Sequence, residues 1–265
     1  ICLSVVKSFT NWDGLSNNTF IGLRNYKDII LGEEFWIMIR NNFALMLHIP
    51  IMLFIGFIFA LLLYEKVPGW RFFRSVSFMP SILSVVIRGY LFKTMFAYDG
   101  PINSILRAVG LGFMAIEWLG NGLTGLLVII FCLVWQSLGW QALLIFGGMA
   151  SISPSVLEAA RIDGAGYWKR MFHVIVPMLG NVVLYTSVTS VMWVFTGIFP
   201  FIFTLTRGGP GYETTTIDYM IYLKAFVSGN QLGAACATAV ILLAVVLVLT
   251  KVQLKIGESA NEWRE

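Results

Sequence analysis

Charge is what this chain has least of. Of its 265 residues 12% are Asp, Glu, Lys or Arg, about half the share of a soluble domain. With 58% hydrophobic residues and a mean hydropathy of +0.80, an ordinary globular fold in water is excluded. The net charge of +4 is too small and too dispersed for a nucleic-acid surface. Cysteine is scarce: Cys2, Cys132 and Cys236 are too far apart for a disulfide framework or a metal cluster and read as small packing residues. The two histidines, His48 and His173, lack metal-type neighbours and read as ordinary polar contacts, so no metal site and no catalytic residue is predicted. No Gly-x-x-x-x-Gly-Lys-Ser/Thr run occurs, which excludes that device for cradling ATP. The chain also opens without Met, at Ile1. Residues 1–6 read like the tail of an apolar stretch, so a segment is expected upstream.

Long apolar runs are abundant. A hydrocarbon core about 30 Å thick needs about 20 helical residues, and five segments reach or approach this length: 43–64, 75–96, 123–146, 179–205 and 233–250. Backbone groups in lipid must be satisfied internally, and runs such as 239–249 lack the alternation of a barrel. The prediction is an all-α polytopic membrane protein, a single transmembrane domain over 1–265 with five complete spans and a sixth truncated at the N-terminus. Lys66, Arg71, Arg74, Arg161, Lys169, Arg170, Lys251, Lys255 and Arg264 make one set of connections about twice as dense in cations as the other. Residues 65–74, 147–178 and the C-terminus are therefore expected in the cytoplasm, and 8–42, 98–122 and 206–232 outside.

The connection 151–177 is too long for a tight turn and too apolar for a solvated linker, since Val156, Leu157, Ile162, Tyr167, Trp168, Met171, Phe172 and Ile175 recur through it. Ser155 and Glu158 have capping-box spacing, Pro154 suits a first turn, and Gly164 and Gly166 stop the helix. A second short helix is predicted from Tyr167 to about Val174, ending before Pro177, which would start the next span. With Arg161, Lys169 and Arg170 beside them, two such helices would lie flat at the membrane face. Their apolar surface would be available to a partner protein.

The run Glu158-Ala159-Ala160-Arg161-Ile162-Asp163-Gly164-Ala165, with Phe172, Ile175 and Pro177 following, resembles the coupling loop of ABC-importer permeases, whose pattern is Glu-Ala-Ala, three residues, Gly, then Ile and Leu-Pro. It departs at Val176, where the family usually has Leu. Asp163 and Phe172 look like the carbohydrate-importer branch. Phe20-Ile21-Gly22-Leu23-Arg24-Asn25-Tyr26, Pro80, Tyr98-Asp99-Gly100 and Gly208-Gly209-Pro210-Gly211 agree, the first being similar to the first permease subunit of maltose and glycerol-phosphate type importers. The resemblance implies a transport subunit, not an enzyme, that moves a sugar, oligosaccharide or polyol by alternating access. Its implied setting is the bacterial or archaeal cell (inner) membrane. The implied partners are a second homologous permease, two cytoplasmic ATPase subunits carrying ATP and Mg, an extracytoplasmic solute-binding protein and membrane lipid; no cofactor is implied on this chain. Glu158, Ala159, Ala160, Asp163, Gly164, Ala165, Phe172 and Pro177 would form the ATPase-coupling surface. The alanines would permit close approach, Gly164 would supply the turn, and the two acids would make polar contacts.

A neutral sugar needs hydrogen-bonding side chains and aromatic faces along its route. Gln136, Ser137 and Trp140 share a helical face by spacing. So do Thr186, Ser190, Trp193 and Gly197, of which Ser190 and Trp193 look equivalent to sugar contacts in maltose-type permeases. Packing explains small polar residues at such spacing equally well; both readings stay open for Ser190 and Trp193, and packing is favoured for Thr186 and Gly197. Arg88, past the middle of its span, is costly enough there to face a partner or an aqueous cavity, whereas Lys93 can snorkel to the interface. The alternative, a secondary transporter or channel for a small polar solute, would call for paired intramembrane carboxylates or inverted repeats; the five segments contain no Asp or Glu. An intramembrane hydrolase would need a nucleophile beside a His, or paired Asp residues.

Overall fold

The computed structural model describes residues 1–15, 18–229 and 231–262, with side chains to residue 258. Helices dominate; among the described residues the β contribution is an isolated bridge between Thr10 and Phe20. The order begins α1 (Cys2–Ser8), α2 (Arg24–Leu31), α3 (Glu33–Leu45), α4 (His48–Tyr64), α5 (Trp70–Ile82), α6 (Val85–Met95) and α7 (Pro101–Ala108). It continues with α8 (Gly122–Ala150), α9 (Pro154–Ile162), α10 (Tyr167–Arg170), α11 (Val176–Met178), α12 (Gly180–Thr196), α13 (Phe199–Leu205), α14 (Ile217–Tyr222) and α15 (Leu232–Glu262).

Three stretches are continuous enough to cross a bilayer: Glu33–Tyr64, Gly122–Ala150 and Leu232–Glu258. Two more are bent pairs, Trp70–Ile82 with Val85–Met95 at 101°, and Tyr167–Met178 with Gly180–Thr196 at 58°. The all-α polytopic architecture is as expected, but three boundaries change. The first span begins at Glu33, ten residues before the expected start at 43, with Glu33 and Glu34 in the first turn of α3, where acids complement the helix dipole. The expected span 75–96 begins at Trp70 and breaks at Leu83 and Ser84, both extended. Pro80 lies inside α5; proline removes a donor and clashes with the carbonyl four residues back, so the helix does not continue far past it. The expected span 179–205 also breaks. Its helix α12 stops at Thr196, and α13 restarts with Pro200 in its first turn.

Two compact units divide the chain. One comprises Ile1–Leu47, Ser84–Cys132 and Val191–Leu249. Its core contains the fully buried Leu45, Ile129, Phe195, Ile198, Phe201 and Ile202, and α6 packs along α13. The other comprises His48–Leu83, Leu133–Ser190 and Thr250–Glu265. There Ala60, Ile145, Met149, Ile152, Met171, Ile175 and Leu179 form one apolar cluster. In this second unit α5 crosses α8 at Gly139, where an added Cβ would lie 2.7 Å from the Phe78 Cα and closer still to the Ser77 backbone. The Ser81 hydroxyl donates to the Gln136 carbonyl beside this crossing, at 3.2 Å.

Candidate functional site

The short helix α9 starts two residues earlier than the capping-box reading placed it. Pro154 occupies its first turn, as expected, but the N-cap is Ser153, which makes no side-chain cap bond. Its hydroxyl pairs with that of Ser155 at 2.7 Å. Proline's fixed φ suits the first helical position, so it sets the start. Ser155 then lies inside the helix and Glu158 on its exposed surface.

The far end of α9 is a Schellman motif. Gly164 has φ +73°, its N–H donates to the Arg161 carbonyl at 3.0 Å, and the Ala165 N–H donates to the Ala160 carbonyl at 3.0 Å. These two bonds satisfy carbonyls that a helix terminus otherwise leaves orphaned. An L-residue with a side chain would be strained at this φ. The expectation for Gly164 and its physical reason therefore meet in the structure.

After Gly166 the chain re-enters helix at Tyr167, widens into a π turn over Met171–Ile175, and continues through Val176–Met178. The second helix thus runs past Pro177 instead of stopping before it, and the break falls at Leu179. A proline ring clashes with the carbonyl four residues back, here that of His173; a wider turn relieves that clash.

These helices are two-faced. Met171 and Ile175 are buried in the apolar cluster, with Leu157 packed against it. On the opposite side Ile162 is 87%, Trp168 64% and Phe172 56% exposed, and the Trp168 and Phe172 rings stack at 6.0 Å. Glu158, Ala159, Asp163 and Gly164 are exposed, while Ala160, Ala165 and Pro177 are half-buried. A cleft of about 50 Å³ separates these helices from the end of α4, with Glu65, Arg161, Tyr167 and Arg170 among its lining. The Glu65 carboxylate accepts a hydrogen bond from the Tyr167 phenol.

On α8, Gln136 is 7% exposed and its Oε1 has no hydrogen-bond partner. Ser137 is half-buried and Trp140 exposed, so residues sharing a face by spacing meet different surroundings. Ser190 and Trp193 are half-buried. The Trp193 ring lies over Gly197, where an added Cβ would come within 2.9 Å of Cδ1. Thr186 is fully buried and donates to the Val183 carbonyl at 3.1 Å, a packing position. Arg88 is 8% exposed on α6, and Lys93, near the end of that helix, is exposed.

Sequence reasoning missed the polar groups of the first unit. Asn42, fully buried, donates to the Val194 carbonyl at 2.9 Å, a group near the end of α12 where the helical pairing runs out. Its Oδ1 accepts from the Ile217 N–H at 3.1 Å. Asn41 donates to the carbonyls of Tyr212 and Thr215. The Asp218 carboxylate accepts from the N–H of Phe199 at 2.7 Å and of Tyr219 at 2.9 Å, and from the Thr216 hydroxyl at 2.6 Å. It lies in the 206–232 connection, outside the spans, and burial outweighs these bonds to push its pKa up to about 6. Two adjacent Asn after an apolar stretch, and the run Thr214-Thr215-Thr216, were the available signals. Gln141, buried on α8 with an unpartnered Oε1, was missed too.

Over residues 35–256 the chain matches the family model described as binding-protein-dependent transport system inner membrane component. It is 33% identical over 264 residues to the probable ABC transporter permease protein YurN of Bacillus subtilis, covering 98% of this chain and 90% of that one. It is 34% identical over 257 residues to the multiple sugar-binding transport system permease protein MsmF of Streptococcus mutans, covering 95% and 86%. Its fold is similar to that of a chain in the crystal structure of a bacterial alginate ABC transporter in complex with an alginate pentasaccharide-bound periplasmic protein. That match has a TM-score of 0.78 at 22% identity and covers 88% of this chain and 81% of the other.

Proposed function

The chain belongs to the family of binding-protein-dependent transport system inner membrane components, and from that premise we propose that it is the sugar-translocating permease of an ATP-driven importer whose motor grips the outward face of α9 and α10. The observation that carries this reading is the exposed Ile162, Trp168 and Phe172 surface on a helix pair fixed by the Gly164 motif. Covering a large apolar side chain is worth about 2 kcal/mol, and a surface of stacked aromatics beside Glu158 and Asp163 is suited to a cleft in a protein partner.

In this reading residues 147–178 and the C-terminus are cytoplasmic, and the motor is a pair of ATPase subunits that hold ATP and Mg. A second, homologous permease completes the pathway, and an extracytoplasmic binding protein delivers a sugar, oligosaccharide or polyol. Gln136, Ser137, Trp140, Ser190, Trp193 and Arg88 contribute to the route. The buried Gln136 Oε1 supports this assignment: leaving such an acceptor unmet costs about 1–3 kcal/mol, and a passing sugar hydroxyl would meet it.

The test is reconstitution of the full transporter in proteoliposomes. Trp168→Ala with Phe172→Ala should strip the ATPase subunits from the purified assembly and abolish uptake, while the chain itself remains folded. Retention of both ATPase and uptake in that variant defeats the assignment.

A further inference from the structure

The second unit holds one more feature, a groove whose residues have no role in that reading. Beside α5 lies an open groove of about 670 Å³, lined at one end by Trp70, Arg71, Arg74 and Ser75 and at the other by Phe78, Ile82 and Leu143. Positions 71, 75, 78 and 82 recur at helical spacing, so one stripe of α5 changes along its length from guanidinium and hydroxyl to aromatic and aliphatic groups. From Arg71 to Ile82 the helix rises about 16 Å, close to the hydrocarbon depth of one leaflet, about 15 Å.

The charge at the polar end is uncompensated. Among the described residues neither arginine has a carboxylate within 4.0 Å; Arg71 leans over the Trp70 ring at 5.6 Å, and the Ser75 hydroxyl donates to the Arg71 carbonyl at 3.1 Å. Two guanidinium groups one turn apart recognise phosphate oxygens in bidentate fashion. Trp70 is of the type that settles at headgroup level. The other end offers apolar surface at Phe78, Ile82 and Leu143 and no charge.

We propose that this groove is a binding site for one anionic phospholipid, its phosphate held by Arg71 and Arg74 and an acyl chain laid along Phe78, Ile82 and Leu143. The combination separates a lipid from a free anion, because inorganic phosphate would use the polar end alone. It also separates an anionic from a zwitterionic lipid, because the two arginines have no acid beside them to offset a choline.

The experiment is native mass spectrometry of the complete transporter released from nanodiscs containing an equal mixture of phosphatidylglycerol and phosphatidylcholine. Phosphatidylglycerol should be retained preferentially. Arg71→Gln with Arg74→Gln should lower that retention about 30-fold, from about fivefold per basic residue near an anionic surface. Arg71→Lys with Arg74→Lys should keep most of it, and Ile82→Trp, which fills the apolar end, should reduce it with both arginines present. Size-exclusion profiles identify any variant that fails to assemble, and the lysine pair then carries the comparison. Equal retention of the two lipids, unchanged retention in the glutamine pair, displacement by inorganic phosphate alone, or protection of both arginines from phenylglyoxal by a partner subunit would each overturn the proposal. None of these readouts depends on ATP, so failure here is distinguishable from failure of the coupling assignment.

Discussion

The surface of α9 and α10 and the start of α13 handle unmatched chemistry in opposite ways. In the first, the backbone is closed by the Gly164 motif while large apolar groups, Ile162, Trp168 and Phe172, are left outside. In the second, helices stop and restart, and four of the backbone groups at their ends find buried side chains: Asn42 for Val194 and Ile217, Asp218 for Phe199 and Tyr219. The lesson concerns where completion comes from. A break buried in the protein interior has no water to satisfy it, so the chain supplies its own polar partners; exposed apolar side chains make no such demand on their own chain.

If that contrast is right, substitutions in the two places should fail in different assays. The largest effect should come from Asn42→Leu, which orphans a buried carbonyl and a buried N–H at once. At about 1–3 kcal/mol for each group, a loss of about 4 kcal/mol should show as a large fall in detergent melting temperature. An unchanged melting temperature would mean that the amide bridges nothing essential.

Next is the pH response of Asp218. Burial raises its folded-state pKa to about 6 from an ordinary 3.8, so the folded chain holds this proton more tightly than the unfolded one. That stabilisation is complete below about pH 4 and is lost as pH rises through 6, up to about 3 kcal/mol in all. Melting curves between pH 4 and 7 should show this slope in the native chain and lose it in Asp218→Asn, and equal slopes in both would remove Asp218 as its source.

Trp168→Ala alone should weaken ATPase association by about 2 kcal/mol, or about 30-fold, with no change in melting temperature. Joint loss of association and stability would show that the ring is part of the core. The smallest effect belongs to Gly164→Ala, where a side chain at φ +73° costs about 1 kcal/mol. Association should fall a few-fold, and sugar-stimulated ATP hydrolysis with it; an increase in either would contradict the role given to the turn.

The sequence made the second-unit site more legible than the first-unit one, and the reason is range. Gly164, Pro154 and the alternating apolar residues of 151–177 act on neighbours a turn away, so spacing alone revealed the helix pair. Ser155 has Glu158 at capping-box spacing and Ser153 has no such partner, yet the fixed φ of Pro154 makes Ser153 the N-cap. Hydropathy located the apolar segments but averaged across the breaks at Leu83 and Gly197, because a bend changes no residue's affinity for lipid. The start at Glu33 was hidden for the complementary reason. Asn41 and Asn42 look solvated until their partners, more than 150 positions away, are in place.

Gly139 has a further consequence. With no side chain between α5 and α8 at their crossing, the two backbones meet as at a spot weld and not as at a bearing. A tilt of α8 would carry the arginine-bearing end of α5 with it, because no flexible side chain lies between the two backbones where they meet.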